Sequence, residues 1–115
     1  MMTKKIEHRP WGRFEQFAHN ETCSVKLLYV KASSRLSLQY HKQREEFWKV
    51  IRGPLSVQIG DEMLTGNEGD EFEIPAGTKH RLQGLDSDGI VLEVSFGNFD
   101  EQDIVRLEDD FGRAG

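Results

Sequence analysis

Gln39, His41 and Glu46 fall within eight positions of one another in the stretch Ser37–Gly53, SLQYHKQREEFWKVIRG, and His80 closes a second stretch, Gly69–His80, GDEFEIPAGTKH. Two imidazoles, a carboxylate and an amide oxygen make a mixed nitrogen and oxygen donor set. Such a set suits a divalent ion, with zinc the first choice and manganese, iron or nickel the alternatives. For the donors to meet, the backbone must aim them at one point. Side chains alternate faces along a strand, so Gln39 and His41 point the same way. Glu46 is far enough along for a turn and a return on a neighbouring strand.

The elements that must do this positioning are short strands. Apolar residues recur mostly at period two, with no long helical stripe. The pattern predicts strands over 12–17, 24–30, 35–41, 46–52, 55–59, 62–65, 71–74, 80–83 and 90–96. Turn residues separate them, among them Gly53-Pro54, Gly60-Asp61, Pro75-Ala76-Gly77 and Asp88-Gly89. Many short strands at this spacing imply an all-β sandwich or barrel. The tail from Asp100 to Gly115, acidic and then basic, reads as one short helical turn followed by an extended end.

The chain has 115 residues, enough for one domain, and a net charge of −5. That charge argues against a general nucleic-acid role, and an anionic substrate would need a local basic cluster. Cys23 is the single cysteine, so an internal disulfide is impossible and a reducing, cytoplasmic compartment is expected. No apolar run is long enough to span a membrane, and MMTKKIEHRPWG lacks an apolar signal region.

Alternation also predicts what faces outward. With Gln39 and His41 inward, Leu36, Leu38 and Tyr40 form an outer apolar row. On the next strand Glu46, Trp48 and Val50 share the inner face, and Phe47 and Ile51 the outer one. Apolar rows need a cover. A second copy of the chain is the expected one, giving a homodimer packed sheet to sheet. The alternative cover is the N-terminal segment.

Gly69, five residues, Pro75, one residue, Gly77, two residues, His80 resembles the second motif of the cupin superfamily, and Gln39-x-His41 with Glu46 and Gly53 resembles the first. Fifteen residues separate Gly53 from Gly69. The resemblance implies a single cupin domain over 1–115, with a core of about 9–113 folded as a double-stranded β-helix or jelly-roll barrel. It also implies a metal held by Gln39, His41, Glu46 and His80. Arg9-Pro10-Trp11-Gly12, Leu36–His41 with Arg44, Glu46 and Trp48, Pro75–Leu82 and Asp103–Arg113 are similar, in the same order, to the type II mannose-6-phosphate isomerase domain. That domain is usually the C-terminal part of a bifunctional mannose-1-phosphate guanylyltransferase/mannose-6-phosphate isomerase. The nucleotidyltransferase half has no counterpart in these residues. Lys42, Gln43 and Phe47 stand where that domain prefers histidine, and Gly84 where cupins often have Asn.

The resemblance implies interconversion of mannose 6-phosphate and fructose 6-phosphate through an enediol, with metal as Lewis acid and a side chain to move the proton. Lys26, sharing a face with Leu28 and Val30, is the candidate base, because an apolar surround lowers a lysine pKa. A lysine snorkelling from a strand edge is the competing reading. Arg44, Arg81 and Arg113 are candidates for the phosphate, although alternation turns Arg81 away from His80. Trp48, on the Glu46 face, either stacks on the sugar or fills the core. Other readings remain beside the isomerase: another cupin enzyme, such as a sugar epimerase or an oxygenase, and a non-catalytic metal- or sugar-binding cupin.

Overall fold

β-branched and aromatic residues at alternate positions, with left-handed glycines between the runs, fold this chain into strands. Gly60, Gly69 and Gly77 adopt φ of 62°, 89° and 82°, which other residues rarely adopt. The computed structural model describes residues 4–97, 100 and 102–113. Its elements are β1 (Lys5–Arg9), β2 (Gly12–Gln16), β3 (Cys23–Val30), β4 (Leu38–Tyr40), β5 (Glu45–Arg52), β6 (Leu55–Ile59), β7 (Glu62–Gly66), β8 (Glu71–Ile74), β9 (His80–Gly84), β10 (Gly89–Phe96) and β11 (Val105–Glu108). No helix among them is long and apolar enough to cross a membrane.

All pairings are antiparallel. One sheet runs β3-β10-β5-β8, the other β11-β4-β9-β6-β7, and β1-β2 is a separate hairpin. The core lies between the two sheets. Val30, Trp48, Val50, Ile74 and Val91 from the first sheet meet Leu55, Val57 and Leu82 from the second. Each fully buried aliphatic side chain contributes about 1.5–3 kcal/mol. This two-layer antiparallel architecture is the expected jelly roll.

Cross-strand register sorts the inner face of the first sheet into rows. Leu28, Val91 and Val50 form an apolar row; Lys26, Glu93, Trp48 and Phe72 a mixed one; Ser24, Ser95, Glu46 and Ile74 the next. On the second sheet, Leu82 and Val57 lie opposite each other, and so do His80 and Ile59, with Gln39 paired to His80 on the other side. Both sheets therefore have an apolar end and a polar end, and the polar ends coincide.

Several expectations need correction. The tail forms no helical turn over its described residues: β11 pairs antiparallel with β4, Arg106 opposite Gln39 and Val105 opposite Tyr40. Positions 114 and 115 lie outside the described residues. The strand expected from Arg35 is regular only over Leu38–Tyr40, with an isolated bridge between Arg35 and Gln83. Alternation is therefore not carried back to Leu36, which packs on the core, while Leu38, on the face of β4 opposite Gln39, is buried. Phe47 does face outward, but Phe17 covers it with ring centroids 5.5 Å apart. That leaves Ile51 exposed from the expected rows. The exposed apolar row lies instead on β3, at Val25, Leu27 and Tyr29. Gly84 is a glycine for a local reason, since a Cβ there would stand 2.1 Å from the Lys31 carbonyl oxygen.

Candidate metal centre and its cavity

The two sequence motifs are joined by a backbone hydrogen bond: the Gly77 N–H donates to the His41 carbonyl at 2.7 Å. This contact brings the turn before β9 against the end of β4, and so His80 against His41. The rings stand 5.0 Å apart, with Glu46 from β5 between them. His41 Nε2 lies 3.3 Å and His80 Nε2 3.2 Å from Glu46 Oε1, and all three residues are buried.

Hydrogen bonds fix the rings. His41 Nδ1 lies 2.7 Å from the Asp103 carbonyl, and His80 Nδ1 2.9 Å from the Thr78 carbonyl. Carbonyls only accept, so both Nδ1 atoms carry the hydrogen, and in the neutral rings the Nε2 lone pairs face Glu46. Arg44 supports this for His41: its NH2, which can only donate, stands 3.3 Å from Nε2. His80 Nε2 and Glu46 Oε1 are buried and make no hydrogen bond to a described residue. The His80 Nε2 and Glu46 Oε1 lone pairs converge with no hydrogen between them, which fits a cation. The separations are of the size that donor atoms keep when each lies about 2 Å from one ion. His41, Glu46 and His80 could thus hold a metal ion.

Burial alone would raise the Glu46 carboxyl. Hydrogen-bond contact with the His41 and His80 rings first, then positive charge at His80, and the Ser95 hydroxyl donating at 2.8 Å, hold it well below the ordinary carboxylate range. A divalent ion among the same groups would supply that charge with both rings neutral. Gln39 lines the same cavity, and its Oε1 accepts from the Ser37 hydroxyl at 2.5 Å.

The cavity has a volume of about 250 Å³. Lys26, Arg44 and Arg113 line it, as the sequence suggested, but Arg81 does not. Arg81 is buried on the other face of β9. It donates from Nε to the Leu36 carbonyl at 2.9 Å and from NH1 to Glu108 Oε1 at 3.2 Å, so it holds β11 in place and has no route to a phosphate in the cavity. Lys26 lacks the expected apolar surround: it is exposed and sits opposite Glu93 in the register. Trp48 is 1% exposed, which leaves no ring face for a sugar. It is a core residue that donates from Nε1 to Glu93 Oε2 at 3.1 Å and sets its edge against His80. Arg113 is tied to Asp109 at 2.7 Å.

Glu93 was missed. It is the lone acid among apolar residues in GIVLEVSF, on the inward parity of Val91 and Ser95, and that was the available signal. Burial first, then the charge of Glu46, push its carboxyl up to about 7, against the opposing pull of Trp48 and Lys26. Asp103 was also missed. Its carboxylate accepts the backbone N–H groups of Lys42 and Gln43 at 2.9 and 3.0 Å, fixing the turn that presents His41 and Arg44. Lys42 and Gln43 are themselves exposed, and Phe47 packs under Phe17. The three departures from family histidines therefore lie outside the cavity.

A two-sheet antiparallel barrel with an inward His–Glu–His group defines a cupin. Solved structures agree. Oxalate decarboxylase from Bacillus subtilis matches with a TM-score of 0.68 and 28% identity over 76% of this chain and 24% of its own. A sugar phosphate isomerase of the cupin superfamily from Silicibacter pomeroyi matches in fold with a TM-score of 0.62 and 20% identity, covering 81% of this chain and 71% of that one. Residues 1–109 match the family model described as mannose-6-phosphate isomerase, C-terminal, and the chain belongs to that family. Its relatives include the xanthan biosynthesis protein XanB of Xanthomonas campestris pv. campestris (strain B100), 39% identical over 93% of this chain. The mannose-1-phosphate guanylyltransferase ManC of Salmonella typhimurium (strain LT2) is 35% identical over the same share. The chain spans 23% of the length of each.

Proposed function

We propose that this chain is a metal-dependent sugar-phosphate isomerase that interconverts mannose 6-phosphate and fructose 6-phosphate. The observation that carries the reading is a single cavity lined by His41 and Glu46 of the His41–Glu46–His80 group, by Glu93 and by four cations, Lys26, Arg44, Arg106 and Arg113. Family membership supports the same chemistry. His41, Glu46 and His80, with Gln39 as a fourth donor, would hold a divalent ion, zinc in the first instance. Bound there, it would supply a Lewis acid for the sugar oxygens.

The chain's own residues do the rest. Glu93 is the carboxyl placed to hold or move the proton that passes between C1 and C2, because Trp48 fixes one of its oxygens and the cavity is open to it. Lys26 lies beside it and favours the ionised carboxylate. Arg44 leans on the ligands, its Nε 3.8 Å from Glu46 Oε2, which ties it to the metal group more than to a distant phosphate. The test is incubation of metal-replete protein with mannose 6-phosphate in deuterium oxide. Fructose 6-phosphate and deuterium at C1 or C2 are expected. Neither turnover nor exchange on any hexose 6-phosphate would leave a binding cupin in place of the isomerase.

For assembly, we propose a homodimer formed through β3. This strand is at the edge of its sheet and exposes Val25, Leu27 and Tyr29 on one face, with Ile51 on the same sheet. An edge with free backbone groups and an apolar row is self-complementary across a twofold axis, which makes a second copy its natural occupant. Sedimentation as a monomer at roughly tens of micromolar refutes it, and Leu27→Glu is expected to weaken the dimer while leaving metal content unchanged.

A further inference from the structure

The cavity carries more positive charge than its metal group requires. Lys26, Arg44, Arg106 and Arg113 face two carboxylates, Glu46 and Glu93. Three of these cations have assigned neighbours in the protein. Lys26 acts on Glu93, Arg44 donates to the Asp100 carbonyl at 3.1 Å, and Arg113 is bound to Asp109. Arg106 differs. Its Nε, like that of Arg44, is buried and meets no hydrogen-bond acceptor among the described residues, but Arg44 Nε has Glu46 Oε2 at 3.8 Å, whereas no carboxylate of the described residues forms an ion pair with Arg106. It is carried on β11 directly opposite Gln39, so it shares the inward face of the proposed fourth donor. Arg81 holds the end of that strand through Glu108, which fixes where Arg106 is presented.

A buried guanidinium N–H without an acceptor is destabilising on its own and is accounted for by a ligand oxyanion. The planar fork of arginine presents parallel donors matched to phosphate oxygens. We infer that Arg106 is the residue that anchors the phosphate of the substrate and so sets the preference for a phosphorylated sugar over the free sugar. The inference rests on the sugar-phosphate reading of this cavity but not on turnover. The anchor lies on the edge strand β11 opposite Gln39, and His41 and Glu46 of the His–Glu–His group line the same cavity, so one hexose would be held at its phosphate by the first and at its C1–C2 end by the second.

The test is calorimetric binding of mannose 6-phosphate, mannose and inorganic phosphate to metal-loaded protein. Wild type is expected to bind the phosphorylated sugar better than mannose. Arg106→Gln should weaken binding of mannose 6-phosphate and of inorganic phosphate by roughly ten- to a hundredfold, leave metal content and mannose binding as they were, and raise KM more than it lowers kcat. Arg106→Lys should recover part of the loss. Phenylglyoxal labelling of unmutated protein gives a second readout, with Arg106 protected by mannose 6-phosphate and not by mannose. Unchanged phosphate affinity in Arg106→Gln, or Arg106 labelled equally with and without mannose 6-phosphate, overturns the assignment even if the enzyme turns over. Phosphate-dependent protection without turnover keeps the anchor and removes the isomerase. Failure of wild type to bind any phosphate compound overturns both.

Discussion

The two ends of the barrel are equally dry and are held by different means. At one end Val30, Val50, Leu55, Val57, Leu82 and Val91 are 0–3% exposed; at the other Ser37, His41, Glu46, His80 and Ser95 are 2–3% exposed. Aliphatic side chains need only be packed, and the two sheets close on them directly. Buried polar groups need directed partners. Those come largely from the tail: the Asp103 carbonyl for His41, the Asp100 carbonyl for Arg44 and the Asp103 carboxylate for the turn between them. In turn, Arg35 holds Asp110 through two hydrogen bonds of 2.8 and 2.9 Å. The apolar end is thus a property of two sheets, and the polar end a property of two sheets plus the tail residues Asp100 and Asp103 beside them.

Removing a ligand attacks the polar end hardest. His80→Ala is expected to abolish metal binding and activity together while the apolar end keeps the chain folded, as metal analysis and circular dichroism would show. Full metal occupancy in the His41→Ala, His80→Ala double variant would falsify the ligand set. Glu93→Gln should keep the metal and lose kcat by roughly 10²–10⁴-fold. If Lys26→Ala shows that loss instead, the proton belongs to Lys26.

At the other end, Leu82→Ala should cost about 2–5 kcal/mol of stability. In the fraction that remains folded, metal stoichiometry should not change. A loss of metal at full folding would mean that the two ends are not separable. The smallest effect is on pH. Asp103, Asp109 and Asp110 lie below their ordinary value in the folded protein, Asp109 at about 2, held by the Lys42 N–H, Arg113 and Arg35 respectively. Their contribution is present above the ordinary carboxylate range and is lost as pH falls from about 4 to about 2. Amide exchange of β11 should therefore rise in that window before exchange in β6 and β9. Simultaneous loss of protection in all three strands would count against a separately held tail.

The sequence by itself determined the parts whose evidence is local. Period-two alternation and turn residues placed nine of the strands to within a few residues, and the spacing of Gln39, His41, Glu46 and His80 marked candidate donors, of which the fold gathers His41, Glu46 and His80. It also put Arg81 opposite His80. What only the tertiary structure decided are pairings across long stretches of chain. Val-Arg-Leu-Glu at 105–108 alternates over only four residues between acidic neighbours, and becomes a strand because β4, some sixty residues earlier, offers it an edge. Glu93 and Arg106 acquire their places in the cavity the same way, one opposite Lys26 and the other opposite Gln39. Alternation fixes which side chains share a face. It does not say what lies across that face, and here Phe17 came to cover Phe47, and the tail to close the polar end.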